Sequence, residues 1–346
     1  MSDSEAISFT MTPLPWQLAT WQQLHGRMRD GRLPHALLLY GVPGTGKLLL
    51  ARNFARLALC RAPQDGLACG TCPACMQFAA GSHPDFHFVG IPEDKTIISV
   101  AQLRELINAL GLTSQHGGRR VAIIEPADAM NTAAANALLK TLEEPGADTL
   151  LLLVTSRPAR LPATIRSRCQ LVRMLPPARE SAVAWLGSQA PRPDWPVLLG
   201  VAGGGPLAAL QLADSPQAGK RLDMYQTLAE VRAGQRNPLT FAKEWSAKDA
   251  DFVLTLRLFQ CWVMDLIMLK SGTEAGIVNR DALPLLQTTA QGLHLRGLHG
   301  LLNRLNDAVA VAATSVNRQL LLESLLVDWA DSLKTVAAAP LAARGG

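Results

Sequence analysis

The stretch Gly41-Val-Pro-Gly-Thr-Gly-Lys47 decides the fold of the first half of the chain. It follows the apolar run Ala36–Tyr40 and precedes Lys47–Cys60, whose apolar residues have helical spacing. Glycines at this spacing let backbone N–H groups curl round phosphate oxygens, and the start of a helix adds a favourable dipole. The pattern predicts a P-loop between a buried parallel strand and a helix. Its phosphate cradle would consist of Gly41, Gly44, Thr45, Gly46 and Lys47.

Strand-like and helix-like segments alternate on both sides of this loop. After about Leu175–Pro177 the strand signals end, and the remaining chain has helical spacing only. Strands alternating with helices are typical of an α/β domain with a parallel sheet, here followed by an all-α region. Besides Ala36–Tyr40, the predicted strands are Asp85–Val89, Arg120–Glu125 and Thr149–Thr155. Helices are predicted at Trp16–Arg29, Lys47–Cys60, Val100–Leu112 and Asn131–Glu144.

The length of 346 residues allows two or three domains. We expect a P-loop α/β domain over residues 1–175, which includes a cysteine module at 60–75. A small helical lid would follow over 176–213, then a helical domain over 214–336. The small, polar residues 337–346 would form a loose tail.

Two positions of the predicted nucleotide site lack the groups that hydrolysis needs. The residue after Lys47 is Leu48, where Ser or Thr would place a hydroxyl on Mg²⁺. The strand that should end in a metal-binding acid ends in Glu125, and Pro126 stands where an acid would polarise water. Glu125 is either a metal-reaching acid or a solvated acid at a strand end, and Asp128 is expected to cap the next turn. We therefore expect weak ATP or ADP binding and no hydrolysis.

Four cysteines lie within sixteen positions, at Cys60, Cys69, Cys72 and Cys75. Four thiolates suit a closed tetrahedral Zn²⁺ site with a structural role, since no position remains for a reactant. An iron–sulfur cluster is the alternative, because the last three cysteines resemble ferredoxin spacing. His83 and His87 are nearby but are expected to be loop and strand residues.

The run Arg166-Ser-Arg-Cys169 follows the fourth predicted strand. A basic pair on a loop at the edge of a nucleotide domain can reach a neighbour's phosphate as an arginine finger, or it can be an ordinary surface pair. The lone cysteines Cys169 and Cys261 are expected to be buried apolar residues.

Composition excludes several classes of protein. Hydrophobic residues make up 48% and charged residues 18%, which excludes wholesale disorder. The net charge of +5 permits contact with nucleic acid without requiring it. Met1–Thr10 lacks the basic start of a secretory signal, and no uninterrupted apolar run reaches membrane-span length. We expect a cytoplasmic protein with no membrane contact.

Three stretches resemble bacterial clamp-loader subunits of the AAA+ class: Leu33–Lys47, Asn136–Pro145 and Ile165–Cys169. A four-cysteine insertion after the P-loop helix is shared by the ATPase and the stator (delta-prime) subunits of the bacterial DNA polymerase III clamp loader. Leu48 and Glu125-Pro126 depart from the ATPase pattern, so the chain looks like the stator type. In addition, Leu207 stands where an ATPase lid would carry a sensor arginine.

The resemblance implies a role in DNA replication inside a pentameric complex. Expected partners are the ATPase subunits (gamma/tau) and a delta subunit, with the sliding clamp and primer-template DNA contacted indirectly. The subunit itself would have no active site for ATP hydrolysis or polymerisation, although it belongs to a polymerase holoenzyme. Arg168 would act in trans at a neighbour's ATP site, Thr155 matches the polar residue that ends the sensor-1 strand, and the C-terminal third would be the oligomerising collar.

Two other functions stay open at this point. The chain could be an active clamp-loader ATPase whose Mg²⁺ is held by Glu125 and water alone. It could also be a zinc-containing DNA-binding protein with a vestigial P-loop. Steady ATP turnover by the isolated chain would favour the first, and tight, strongly salt-dependent DNA binding would favour the second.

Overall fold

The computed structural model describes residues 12–112, 114, 118–215, 219–247, 251–312 and 316–331. The chain divides into two compact units. The first consists of Met1–Ser181 with Gly203–Ala208, and the second of Ala182–Ala202 with Ala209–Gly346. The boundaries expected for a separate lid and collar stay predictions, and the expected loose tail lies outside the described residues.

The first unit is built on a five-stranded parallel sheet with strand order β2-β3-β4-β1-β5. Since β3, β4 and β1 are neighbours, their carboxyl ends lie side by side at one edge of the sheet. The strands are β1 (Ala36–Gly41), β2 (Phe86–Val89), β3 (Arg120–Ile124), β4 (Thr149–Thr155) and β5 (Gln170–Met174).

The central strands are largely apolar, apart from polar residues at the ends of β3 and β4, because the sheet is covered on both faces. Successive residues of β1 enter opposite cores: Leu38 joins one apolar cluster, while Leu37 and Leu39 join the other. Every residue of β3 and β4 is buried. The helices that cover the sheet or connect its strands are α1 (Leu18–Arg29), α2 (Lys47–Leu59), α3 (Pro73–Ala79), α4 (Val100–Gly111), α5 (Thr132–Glu143) and α6 (Ala163–Arg166).

Local capping fixes where two of these helices begin. Ser99 accepts a hydrogen bond from the Gln102 backbone N–H at the start of α4, and the two residues form a capping box. Asn131 accepts one from the Ala134 N–H, at 2.8 Å, at the start of α5.

The parallel sheet and its covering helices confirm the predicted parallel α/β domain. Each predicted strand and helix lies within about two residues of its expected bounds.

Three elements of this unit were not predicted. Strand β5 lies at the sheet edge, where Gln170, Leu171 and Arg173 are exposed, so its sequence lacks the continuous apolar run of a central strand. Helix α3 is short and lies inside the cysteine-rich stretch, and α6 is a single turn. Elements this short carry too little periodicity to be read from sequence.

The second unit is helical, as expected. Fully buried tryptophans occupy its core at Trp195, Trp262 and Trp329, and Tyr225 stacks on Trp262 with ring centroids 4.5 Å apart. The other α-helices within the described residues are Arg179–Gln189, Trp195–Val201, Pro206–Ala213, Arg221–Arg232, Pro238–Trp245, Phe252–Lys270, Leu283–Thr289, Leu295–Val311 and Arg318–Asp331. The first and third of these are divided between the two units.

One helix is long and apolar overall, although it contains no uninterrupted apolar run of membrane-span length. Among the described residues, Phe252–Lys270 is long and apolar enough to pass as a span by length and composition. Core helices of other proteins pass the same test, and 56% of its apolar window is buried within the protein. Its residues Leu256, Phe259 and Trp262 are fully buried in the helical core, so we interpret it as a core helix.

Candidate functional site

The predicted phosphate cradle forms one loop between β1 and α2. Gly44 and Gly46 have φ angles of +74° and +78°, in the left-handed region that favours glycine. The Thr45 hydroxyl donates to the Val42 carbonyl at 2.9 Å, and the Lys47 ammonium donates to the same oxygen at 2.8 Å. The loop therefore has the backbone course of a P-loop, with its lysine bonded to the loop itself.

Lys47 is buried at the first position of α2, and only 6% of it is exposed. Burial lowers the pKa of its ammonium to about 8, although the charges of Glu125 and Asp128 act in the opposite direction. Burial likewise raises the pKa of Glu125, against the attraction of Lys47 and Arg52. The acid and the lysine predicted for this site are thus electrostatic neighbours at the carboxyl edge of the sheet.

Thr155 ends β4 at the same edge, and its hydroxyl donates to an Asp128 carboxylate oxygen at 2.5 Å. The same hydroxyl accepts from the Arg157 backbone N–H at 2.9 Å. Asp128 was expected to cap a turn, and the side-chain bond that the structure gives it runs to Thr155 instead. Sequence offers no signal for this pair, because the two residues lie 27 positions apart.

The nucleotide loop is also held by a segment that sequence reasoning missed. Gln17 is fully buried, and its amide nitrogen donates to the carbonyls of Thr45 and Gly46 at 3.0 and 2.8 Å. The indole N–H of Trp16 donates to the Thr45 carbonyl at 3.1 Å. A Cβ at Gly46 would lie 2.8 Å from the Leu14 side chain. The segment before α1 therefore packs directly against the loop.

A second segment, Gly203–Ala208, packs against the same loop. The Leu207 backbone N–H donates to the Gly44 carbonyl at 3.0 Å, and a Cβ at Gly205 would lie 2.0 Å from the Pro43 carbonyl oxygen. Leu207 is the position where an ATPase of this type would carry an arginine. Here it contributes a backbone bond to the loop and no side-chain charge.

The groups that hydrolysis requires are absent from the two positions that would supply them. Leu48 is half-buried and packs on the apolar cluster beneath α2, so it offers methyl groups where a hydroxyl would bind Mg²⁺. Pro126 follows Glu125 and has no proton-accepting group. The pocket thus retains the lysine and the glycines without the water-activating acid.

The four predicted cysteines converge on one point at the far end of α2. Their sulfur atoms all lie within 4.8 Å of one another, so the group could hold a metal ion. Cys60 follows the last residue of α2, Cys72 precedes the first residue of α3, and Cys75 lies within α3. Gly66 and Gly70 take φ angles of +76° and +78° in the intervening loop.

Backbone N–H groups already stabilise negative charge in this cluster. The Cys69 N–H donates to the Cys60 sulfur at 3.3 Å, and the Cys72 N–H donates to the Cys69 sulfur at 3.4 Å. The N–H groups of Cys72 and Thr71 lower the pKa of the Cys69 thiol to about 6. Burial raises the pKa of Cys75 to about 12, so that thiol needs a cation to become a thiolate. This donor set fits a metal.

The other histidines and cysteines of the predicted list lie elsewhere. His83 accepts a hydrogen bond from the Asp85 backbone N–H through Nδ1, and His87 lies in β2. Neither belongs to the four-cysteine cluster. Cys169 and Cys261 are buried with 8% and 9% exposed, as expected for apolar residues.

Arg168 lies on the turn between α6 and β5, and 35% of its side chain is exposed. Its guanidinium contacts the Glu143 carboxylate at the end of α5 and the Thr164 carbonyl within α6. The structure thus brings the P-loop residues, Glu125 and Thr155 to one edge of the sheet. It places the cysteines in a separate module and Arg168 on a surface turn.

Comparison with known proteins identifies the family. The family model described as "DNA polymerase III, delta subunit" matches residues 16–178, and the one described as its C-terminal part matches residues 216–331. The DNA polymerase III subunit delta' of Pseudomonas aeruginosa is 36% identical over 326 residues, which make up 91% of this chain and 97% of that protein. The chain belongs to the delta-prime subunit family of DNA polymerase III.

A second delta-prime relative agrees with the first. The subunit of Escherichia coli K12 is 33% identical over 319 residues, 90% of this chain and 94% of that protein. Among solved structures, a DNA polymerase III gamma subunit-related protein from Thermotoga maritima is 18% identical, covers 90% of this chain and 98% of its own, and has a TM-score of 0.43. This TM-score is too low to support a functional assignment, so membership of the delta-prime family rests on sequence similarity.

Proposed function

We propose that this delta-prime family member is the non-hydrolysing stator subunit of a DNA polymerase III clamp loader. In this role it helps to place the sliding clamp on primed DNA during replication. The observation that carries the proposal is the nucleotide site, where the loop has the course of a P-loop but Leu48 in α2 and Pro126 after β3 replace the metal-binding hydroxyl and the water-activating acid. Such a subunit holds its neighbours in place without hydrolysing ATP itself.

The contacts of the loop support weak nucleotide binding without turnover. Lys47 donates to its own Val42 carbonyl, and the loop is packed by Gln17 on one side and by Gly205 on the other. A phosphate would have to replace the Lys47 contact without help from a Leu48 hydroxyl. ATP or ADP binding therefore gains less here than in a working ATPase, and Pro126 cannot activate water.

Arg168 is proposed to serve a neighbour's ATP site as an arginine finger. Its guanidinium is exposed on a turn, and its own nucleotide pocket lacks the hydroxyl and the acid that a competent site would need. A planar guanidinium stabilises the charge that develops on a transferred phosphoryl group. The ATPase subunit that receives it would be of the gamma/tau type.

The four-cysteine cluster is proposed to hold a structural Zn²⁺. Its donor set is all sulfur, which suits zinc, and four ligands leave no position open for a reactant. When bound, zinc would supply the positive charge that deprotonates buried Cys75. The proposed location of the protein is the cytoplasm, and its proposed partners besides gamma/tau are a delta subunit, the clamp and primer-template DNA.

One experiment tests the assembly and the absence of turnover together. The full chain is co-purified with its host's clamp-loader subunits, and the subunit masses, metal content and ATPase rate are measured on the complex and on the isolated chain. The proposal expects a stable complex that hydrolyses ATP and an isolated chain that does not. Turnover by the isolated chain at the rate of a working clamp-loader ATPase would contradict the stator role.

A further inference from the structure

The Arg168 guanidinium is held in a defined orientation by its own chain. Its Nε donates to Glu143 Oε1 at 2.8 Å, and its Nη2 lies 2.5 Å from the same oxygen. Its Nη1 donates to the Thr164 carbonyl at 3.0 Å. One edge of the planar group therefore faces the end of α5, and a third contact comes from the short helix α6.

The hydrogen count shows what remains for a ligand. A guanidinium has five N–H groups, one on Nε and two on each terminal nitrogen. The hydrogen bonds to Glu143 and Thr164 use two of them, on Nε and Nη1, while Nη2 lies against Glu143 as an ion-pair contact, so N–H groups on both terminal nitrogens stay available. N–H groups on the terminal nitrogens of an arginine are the donors that bind phosphate oxygens.

We infer that Glu143 is the positioning residue of the arginine finger, fixing the Nε–Nη2 edge of Arg168 in one orientation so that its remaining N–H groups can bind the phosphate of a neighbouring nucleotide. This inference rests on the trans role of Arg168 proposed above. Glu143 does not touch the nucleotide; it acts through Arg168.

Two physical arguments favour orientation over a purely structural role. A free arginine side chain has considerable rotamer entropy, part of which must be lost when the finger engages a phosphate. An anchor that selects one rotamer in advance removes that part of the cost. In addition, the ion pair is half exposed, with 35% of Arg168 and 50% of Glu143 accessible, and exposed pairs contribute little to folding.

The test uses the reconstituted complete clamp loader with its clamp and primed DNA. Glu143→Ala is expected to lower kcat for stimulated ATP hydrolysis by about threefold, less than Arg168→Ala does, with KM for ATP little changed. Glu143→Gln should retain most of the rate, because its amide oxygen still accepts from Nε. Glu144→Ala is the matched control: it removes the same charge one position further along, from an exposed side chain.

A double variant separates orientation from structure. In the Arg168→Ala background, Glu143→Ala should lower kcat no further, whereas a structural role for Glu143 would add its own loss. A Glu143→Ala rate equal to that of Glu144→Ala overturns the inference while leaving the finger intact. A raised rate also overturns it, since Glu143 would then hold Arg168 away. If Arg168→Ala itself has no effect, the proposed finger fails and the positioning role fails with it.

Discussion

The nucleotide loop and the Arg168 turn retain complementary halves of one chemistry. The nucleotide site keeps the phosphate cradle of the loop but has Leu48 in place of a hydroxyl and Pro126 in place of an acid. The turn keeps the Arg168 guanidinium, but its own chain offers that guanidinium no competent phosphate site. The loop is tied down by buried contacts from Gln17 and Leu207, and the turn is held by an exposed ion pair. Under the trans role proposed for Arg168, the comparison describes a subunit that has lost its own reaction and completes one across an interface.

The largest expected effect comes from the turn. Arg168→Ala should leave folding, metal content and assembly unchanged but lower DNA-stimulated ATP hydrolysis and clamp loading by the complex. Arginine fingers in GTPases are worth about 10³–10⁵ in rate, and the loss here should be smaller because other sites in the ring still work. Steady-state ATPase and loading assays at limiting ATP measure it.

Arg168→Lys sharpens the same comparison. A lysine keeps the charge but lacks the planar fork, so it should restore little of the rate. Full loading by Arg168→Ala at limiting ATP would reduce Arg168 to a surface arginine, and the contrast between turn and loop would disappear.

The next effect concerns the cysteine module, which should act on stability alone. Cys72→Ser removes one of four ligands, so metal content should fall from one Zn²⁺ per chain and the melting temperature should drop by several degrees. Elemental analysis and thermal unfolding measure the two quantities. Thr71→Ser, at the exposed neighbouring position, should change neither. Iron in the purified protein, or no metal after gentle purification, would refute the zinc assignment.

A smaller effect is expected where Gln17 holds the nucleotide loop. Gln17→Ala removes donors from the Thr45 and Gly46 carbonyls and an acceptor from the Leu14 N–H. Trp16 and the Leu50 N–H still donate to these carbonyls, so the cost comes from the lost bonds and the unsatisfied Leu14 N–H, about 1–3 kcal/mol, measured by denaturant unfolding. Gln23→Ala, at an exposed position of α1, is the control and should cost little. Equal stability of the two variants would show that the loop does not depend on this anchor.

Sequence could predict the parts of the molecule whose signals are local. The glycines and lysine of the loop lie within seven positions, β3 and β4 are apolar apart from their ends because both faces are buried, and the four cysteines follow one another closely. Strand β5 escaped prediction because it lies at the edge of the sheet, where half-exposed residues give no continuous apolar run.

The contacts that escaped prediction join distant positions. Gln17 lies 28 and 29 positions from the carbonyls it contacts, Thr155 lies 27 from Asp128, and Arg168 lies 25 from Glu143. Each pair depends on which segments the sheet order brings together. Residue type at single positions carries no such information, so these partners become visible only in the folded chain.

The smallest expected effect tests whether the Lys47 ammonium stabilises the loop or, because it is buried, only destabilises the folded chain. Burial lowers its pKa in the folded chain from 10.5 to about 8. Between those pH values the unfolded chain holds a proton that the folded chain has lost, so the contribution of Lys47 to stability rises with pH. Below about pH 8 both states are charged and the burial cost is present in full.

Lys47→Met should therefore raise the melting temperature at pH 7 by about 2–4 °C, which is the shift that ~1 kcal/mol makes in a domain of this size. This gain should shrink towards pH 10. The Val42 carbonyl keeps its Thr45 partner in this variant. Lys140→Met, at an exposed site, should show no such pH dependence. A Lys47→Met protein that is less stable at both pH values would show that the ammonium still stabilises the loop.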